Sequence, residues 1–235
     1  MHRAARRNDV EELRRLLDED PGLLEAEGDE EDYVGDRPLP AACRAGSMEA
    51  ACFLLDRGAG INNGDRYGAT PLMRACVAGR VEVVRVLLAR GADPTLRDQQ
   101  FVTALMCASW GAEHPGSDHV AVIRLLLEDA RVPVDAREFY GWTALWLACC
   151  HGRTERARVL LVEGGADHSI GENVGRTPMA EARLLEHHET VRLLEVRGSR
   201  PLMDRADALP CYPCAPLNPT QPATFCAHCT EQWFE

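Results

Sequence analysis

The sequence predicts an all-α solenoid of about six helix-turn-helix units, followed by a short irregular cysteine-rich module. Three observations predict it. A pattern recurs along residues 1–200, with Gly35 and Gly68 holding the same place 33 residues apart. Each copy carries apolar residues at helical spacing in two short runs. Glycines fall between the runs and again after the second, where a turn and a helix stop belong.

The units are approximately 1–32, 33–65, 66–98, 99–138, 139–172 and 173–200. Unit three is the clearest, reading R-Y-G-A-T-P-L-M-R-A-C-V-A-G-R-V-E-V-V-R-V-L-L-A-R-G-A-D-P-T-L-R-D. Thr70 stands at an N-cap and Pro71 at the first helical position. Ala75, Cys76 and Ala78 are small enough for neighbouring helices to approach closely, while Val83, Val84, Val86, Leu87 and Leu88 form the second helix's apolar seam. The skeleton returns as V-T-A-L-M-C-A-S-W from Val102, G-W-T-A-L-W-L-A-C-C-H-G from Gly141 and G-R-T-P-M-A-E-A-R from Gly175; a half-match covers Ala4 to Pro21. These residues closely resemble the ankyrin repeat, with its T-P-L-H-x-A core and L-L-x-x-G-A-D ending. The resemblance covers about residues 1–200 and implies a stack of paired helices that holds another protein.

The departures from the pattern are specific. Unit four has Phe101 where its neighbours have Gly, Ala112 in place of the turn Gly, and about six extra residues, Glu113 to Asp118, between its helices. Unit six has Glu186 at the turn, and Arg183, His187, His188 and Arg192 give it the polar outer side of a capping repeat. Acidic residues 25–32 read as a loop between the first two units.

Composition narrows the function. The net charge of −11 repels phosphate backbones and anionic membrane surfaces, so nucleic acid is not the expected partner. All 26 basic residues are arginine, so no lysine side chain is available for ubiquitin. No apolar run approaches the roughly 18 to 20 residues that cross a bilayer, and the N-terminus lacks a signal-peptide apolar segment. The expectation is a cytosolic or nuclear protein, monomeric by itself, with reduced thiols.

Positions that vary between units are available for recognition, and those on the turn tips and the exposed side of the first helices line one concave face, the expected binding surface for a partner protein. By register these are Arg66, Tyr67, Ala69 and Val77 in unit three; Gln99, Gln100, Val102 and Trp110 in unit four; and Phe139, Tyr140, Trp142 and Cys150 in unit five. Trp110, Phe139, Tyr140 and Trp142 are the expected anchors, because large amphipathic rings dominate interface energetics. Two roles stand open for these rings, a contact with a partner or packing between adjacent tips. Trp146, at the H position of T-P-L-H, is a candidate brace for the turn.

No catalytic constellation survives comparison with a structural role. Cys43, Cys76 and Cys149 share a repeat position usually held by small buried Ala, and Cys52, Cys107 and Cys150 also fall inside the stack. There is no G-x-S-x-G, no phosphate-cradling glycine loop and no partnered acid beside the Cys149-Cys150-His151 run. The chain is expected not to be an enzyme, with no small-molecule substrate; a thiol-dependent enzyme is the least favoured alternative.

Residues 201–235 differ in composition. A proline-rich stretch, Pro210 to Pro222, contains C-Y-P-C (Cys211, Cys214), and C-A-H-C (Cys226, Cys229) follows after eleven residues. Two C-x2-C pairs suit one tetrahedral zinc held by four thiolates; an unpaired flexible tail and redox behaviour are the alternatives. This tail resembles the opening half of a MYND-type zinc finger. If so, the protein is an adaptor whose second surface recruits further machinery, with ubiquitin-ligase or chromatin complexes as the alternative reading.

Overall fold

The structure, a computed structural model, describes residues 1–28 and 37–198. Twelve α-helices lie among the described residues: α1 (His2–Arg6), α2 (Val10–Glu19), α3 (Pro38–Ala45), α4 (Met48–Asp56), α5 (Pro71–Val77), α6 (Val81–Ala89), α7 (Ala104–Trp110), α8 (His119–Leu127), α9 (Ala144–Cys150), α10 (Thr154–Val162), α11 (Pro178–Leu184) and α12 (His188–Gly198). They pair within units in chain order. The first helices stack as α1, α3, α5, α7, α9 and α11, and the second helices form a parallel outer row. This is the all-α solenoid the repeat pattern predicts.

A threonine caps the first helix in units three to six. Thr70, Thr103 and Thr177 accept the backbone N–H of Met73, Met106 and Ala180 at 3.3 Å, and Thr143 accepts that of Trp146 at 3.1 Å. Each such cap contributes about 1 kcal/mol. Ala42 and Cys43, Ala75 and Cys76, Cys107 and Ala108, Ala148 and Cys149, and Ala182 are all buried where first helices meet. Their small volume is why these helices approach closely. Larger side chains, Leu54, Val84, Leu87, Ile123, Leu126 and Leu160, fill the space between first and second helices.

Successive units are also joined by polar contacts. A side chain from each unit donates to a carbonyl at the end of the preceding unit's first helix, where the helix leaves carbonyls unpaired. Ser47 Oγ reaches Arg6 O (2.9 Å), Arg80 Nε reaches Arg44 O (3.4 Å), His119 Nε2 reaches Val77 O (3.1 Å) and His187 Nε2 reaches Cys150 O (2.9 Å). Arg156 does most: its Nη1 donates to Ala108 O (3.2 Å), Ser109 O (3.2 Å) and Gly111 O (2.7 Å), and its Nη2 pairs with Glu113.

Unit four has Ala112 at the register of the turn glycine; Gly111, which ends α7, has φ −43°, and residues 111–118 form the longer loop the sequence anticipates, with its left-handed glycine displaced to Gly116 at φ 77°. Unit six needs correction. His187 is not on its outer side but faces inward to unit five, because its ring seats against the Gly152 turn. Leu184, Leu185 and Val196 are exposed alongside the polar residues of that unit.

Candidate protein-binding surface

The hairpin tips that open units three to five share one construction. An acid at the start of each tip accepts two backbone N–H groups. Asp65 Oδ1 takes Tyr67 N (2.9 Å) and Ala69 N (3.1 Å), Asp98 Oδ1 takes Gln100 N (2.8 Å) and Val102 N (2.9 Å), and Glu138 Oε1 takes Tyr140 N (2.7 Å) and Trp142 N (2.9 Å). Neighbouring tips are then linked: Gln99 N to Tyr67 O (3.1 Å), Phe139 N to Gln100 O (3.0 Å) and Asn173 N to Tyr140 O (3.0 Å). Ordered backbone therefore runs continuously from unit three to unit six. Burial pushes the Asp98 and Glu138 carboxyls above their ordinary range, against the hydrogen bonds that lower them. Asp65 is paired with Arg74 instead.

The tip backbone turns through a left-handed residue. Gly68, Gly141 and Gly175 have φ of 83°, 86° and 87°, as only glycine does without strain. Unit four places Phe101 there at φ 66°, and the ring is 51% exposed. A bulky side chain in this region costs on the order of 1–2 kcal/mol, and half-exposure leaves little burial to offset it.

The side chains expected from the sequence divide into two groups. Arg66, Tyr67, Gln99, Gln100, Phe139 and Tyr140 lie exposed along the tips, with Tyr67 at 51% and Phe139 at 64%. Arg66 lies over the Tyr67 ring, 4.7 Å from its centroid, and its Nη2 meets the Tyr67 hydroxyl at 2.5 Å. Val102, in contrast, is 5% exposed and belongs to the core, so it offers no side chain to a partner. Ala69 holds the same register and is also buried. Trp142, third at that position, is half-buried, and its ring stacks on buried Trp146 at 5.0 Å with 2° between planes. Trp142 Nε1 donates to Glu172 Oε2 (3.2 Å) and Trp146 Nε1 to Arg176 O (3.1 Å), so both indoles brace unit five against unit six. Val77, Trp110 and Cys150 share one register and are half-buried against the core.

Tyr140 continues the ring series outward, 5.2 Å from Trp142 and 5.2 Å edge-on from Phe139. Three exposed groups fall outside the positions chosen from the sequence: Phe101, Arg97 and Arg137. The signal for Phe101 was its replacement of a repeated Gly. The two arginines immediately precede the tip acids.

The thiols inside the stack have no activating surroundings. Burial pushes Cys107 and Cys149 up to about 12, Cys150 to about 11 and Cys76 well above its ordinary 9.0. Among the described residues there is no group of three or more His, Cys, Asp or Glu side chains able to hold a metal ion, and no helix long and apolar enough to cross a membrane. Cys211, Cys214, Cys226 and Cys229 lie outside the described residues.

The family model for ankyrin repeats in three copies matches residues 1–98 and 105–201. The chain belongs to the ankyrin-repeat family. Over 86 residues it is similar, at 34% identity, to the tyrosine-protein kinase HTK16 of Hydra vulgaris; that stretch is 36% of this chain and 11% of that protein. The chain thus spans about a tenth of the length of this curated relative.

Proposed function

We propose that this protein is an adaptor that holds another protein along the tips of units three to five. Exposed aromatic rings on three hydrogen-bonded, consecutive tips carry the reading. Tyr67, Phe101, Phe139 and Tyr140 cluster where the backbone is already ordered, so a partner gains ring contacts with little ordering cost. Arg66, Gln99 and Gln100 supply polar contacts beside them, Trp142 backs the Tyr140 ring, and Trp110 at the end of α7 extends the surface. Photo-crosslinking tests it: a benzophenone side chain at Gln100 should capture a protein partner, and the same group at Arg85 on α6 should not. Equal capture at both sites overturns the reading.

The paired cysteines of residues 201–235 support a second surface. Cys211, Cys214, Cys226 and Cys229 would hold one zinc and order a half-finger that recruits further components, ubiquitin-ligase or chromatin machinery among them. A cytosolic or nuclear location and a monomeric chain belong to the same reading. Metal analysis of the full chain should find about one zinc per molecule; a metal-free chain purified without chelator ends it.

A further inference from the structure

We propose that the tips of units three to five select an acidic, apolar-studded peptide segment in extended conformation. The proposal rests on the protein-binding reading above and names the chemistry of the partner. Its basis is a local inversion of charge. The chain carries a net charge of −11, yet the exposed charges of these tips are Arg66, Arg97 and Arg137. The tip acids Asp65, Asp98 and Glu138 are buried or half-buried, two of them turned to backbone N–H groups and Asp65 shared between such groups and Arg74. Among the described residues, none of the three arginines lies within 4.0 Å of a carboxylate, whereas Arg57, Arg90, Arg124 and Arg131 elsewhere on the surface all do.

Two of these guanidinium groups are held by neutral acceptors, which fix them without cancelling their charge. Arg66 bonds the Tyr67 hydroxyl, and Arg137 bonds Gly141 O (3.2 Å), Gly171 O (3.1 Å) and Asn173 Oδ1 (3.1 Å). Arg66 keeps its Nε and Nη1 donors, and Arg137 its Nη1 donors, for a charge-assisted contact with a carboxylate. The rings of Tyr67, Phe101, Phe139 and Tyr140 stand on the same three tips as the arginines and suit apolar side chains. Phe101 is the most telling of them, because its strained backbone stabilises nothing visible within the fold. An extended segment matches a surface built as a row of linked tips. Three arginines in a chain of this net charge are too few to retain a phosphate backbone at physiological salt.

Selection of short random peptides displayed on phage, against the full chain, tests the proposal. Recovered sequences should be enriched in Asp and Glu together with Leu, Ile, Phe or Trp. A synthetic peptide of that kind, followed by fluorescence anisotropy, should lose about tenfold in affinity to the Arg66→Gln, Arg97→Gln, Arg137→Gln triple variant, and more weakly to the wild type as salt rises. Phe101→Gly should also lose about tenfold while melting no lower than the wild type. Neutral or basic sequences weakened by Phe101→Gly but not by the arginine variant overturn the acidic specificity and leave the tips as a protein-binding surface. Peptides insensitive to both variants, or none recovered, overturn both ideas. A single-stranded oligodeoxynucleotide that competes for the tips at physiological salt overturns the choice of a peptide.

Discussion

Trp142→Ala separates a binding anchor from a structural brace. Trp142 occupies the register of buried Ala69 and Val102, and its indole lies against Trp146 and reaches Glu172 in the next unit. About 100 Å² of half-buried ring, at ~25 cal/mol per Å², corresponds to about 2.5 kcal/mol. Stacking adds about 1 kcal/mol, and the hydrogen bond to Glu172 roughly 0.5 kcal/mol. The expected loss is therefore about 4 kcal/mol, a large part of the roughly 5–15 kcal/mol that stabilises a typical domain. Because the contacts join units five and six, the loss should be local. Hydrogen exchange followed by mass spectrometry should show α11 and α12 exchanging much faster while α3 to α6 keep their protection, and far-UV circular dichroism should show a lower or broader melt. Unchanged protection of α11 and α12 would refute the bracing role and restore Trp142 as a surface anchor.

Other consequences follow from buried polar groups. Arg156→Leu leaves three carbonyls and a helix end without their donor, so chemical denaturation should register a loss of about 3 kcal/mol. Glu113→Gln removes only a largely solvent-facing partner and should cost under about 1 kcal/mol; equal losses would make the ion pair, not the helix cap, the source of stability. Burial lowers the His119 pKa from 6.5, against the hydrogen bond to Val77 O that raises it, with Arg156 and Arg153 lowering it further and Glu113 opposing them. The neutral ring is thus favoured in the fold. Its contribution is complete above pH 6.5 and declines as the pH falls through the window below that value, and His119→Gln should flatten this part of a stability–pH profile. Among thiols within the stack, iodoacetamide mapping at neutral pH should find half-buried Cys52 and Cys150 ahead of Cys43, Cys76, Cys107 and Cys149, all slower than a free thiol. A rapidly labelled Cys149 would contradict the inert environment described above.

The repeat made the scaffold legible because its signals are redundant: a threonine cap recurs in units three to six, and small residues facing small residues and an apolar seam recur along the stack. The contacts that join units were not legible. Ser47, Arg80, His119, Arg156 and His187 do the same job with different chemistry and reach, so no shared letter reveals them. The tips were legible in part. Variation between units identified Tyr67, Phe139 and Tyr140 as exposed, but it also pointed to Ala69, Val102 and Trp142. That last position varies because the volume between tips varies from unit to unit. Recognition and packing both relax sequence identity, and only burial tells them apart.

Phe101 illustrates the opposite case, a residue concealed by the regularity of its neighbours. A glycine at that place satisfies the backbone in units three, five and six, and the surrounding bonds are kept in unit four: Phe101 N to Asp98 O at 3.0 Å and Asp98 N to Val102 O at 3.1 Å. The turn is therefore fixed by the carboxylate of Asp98 and by the adjoining tips, and it imposes the left-handed conformation on whatever residue stands there. A scaffold fixed in this redundant way tolerates strain that an isolated hairpin would relieve by changing its turn. The aromatic ring is then held outward at the centre of the tip row, between Tyr67 on one side and Phe139 and Tyr140 on the other. Stability supplied by the neighbouring units thus holds in place a side chain that the fold itself does not need.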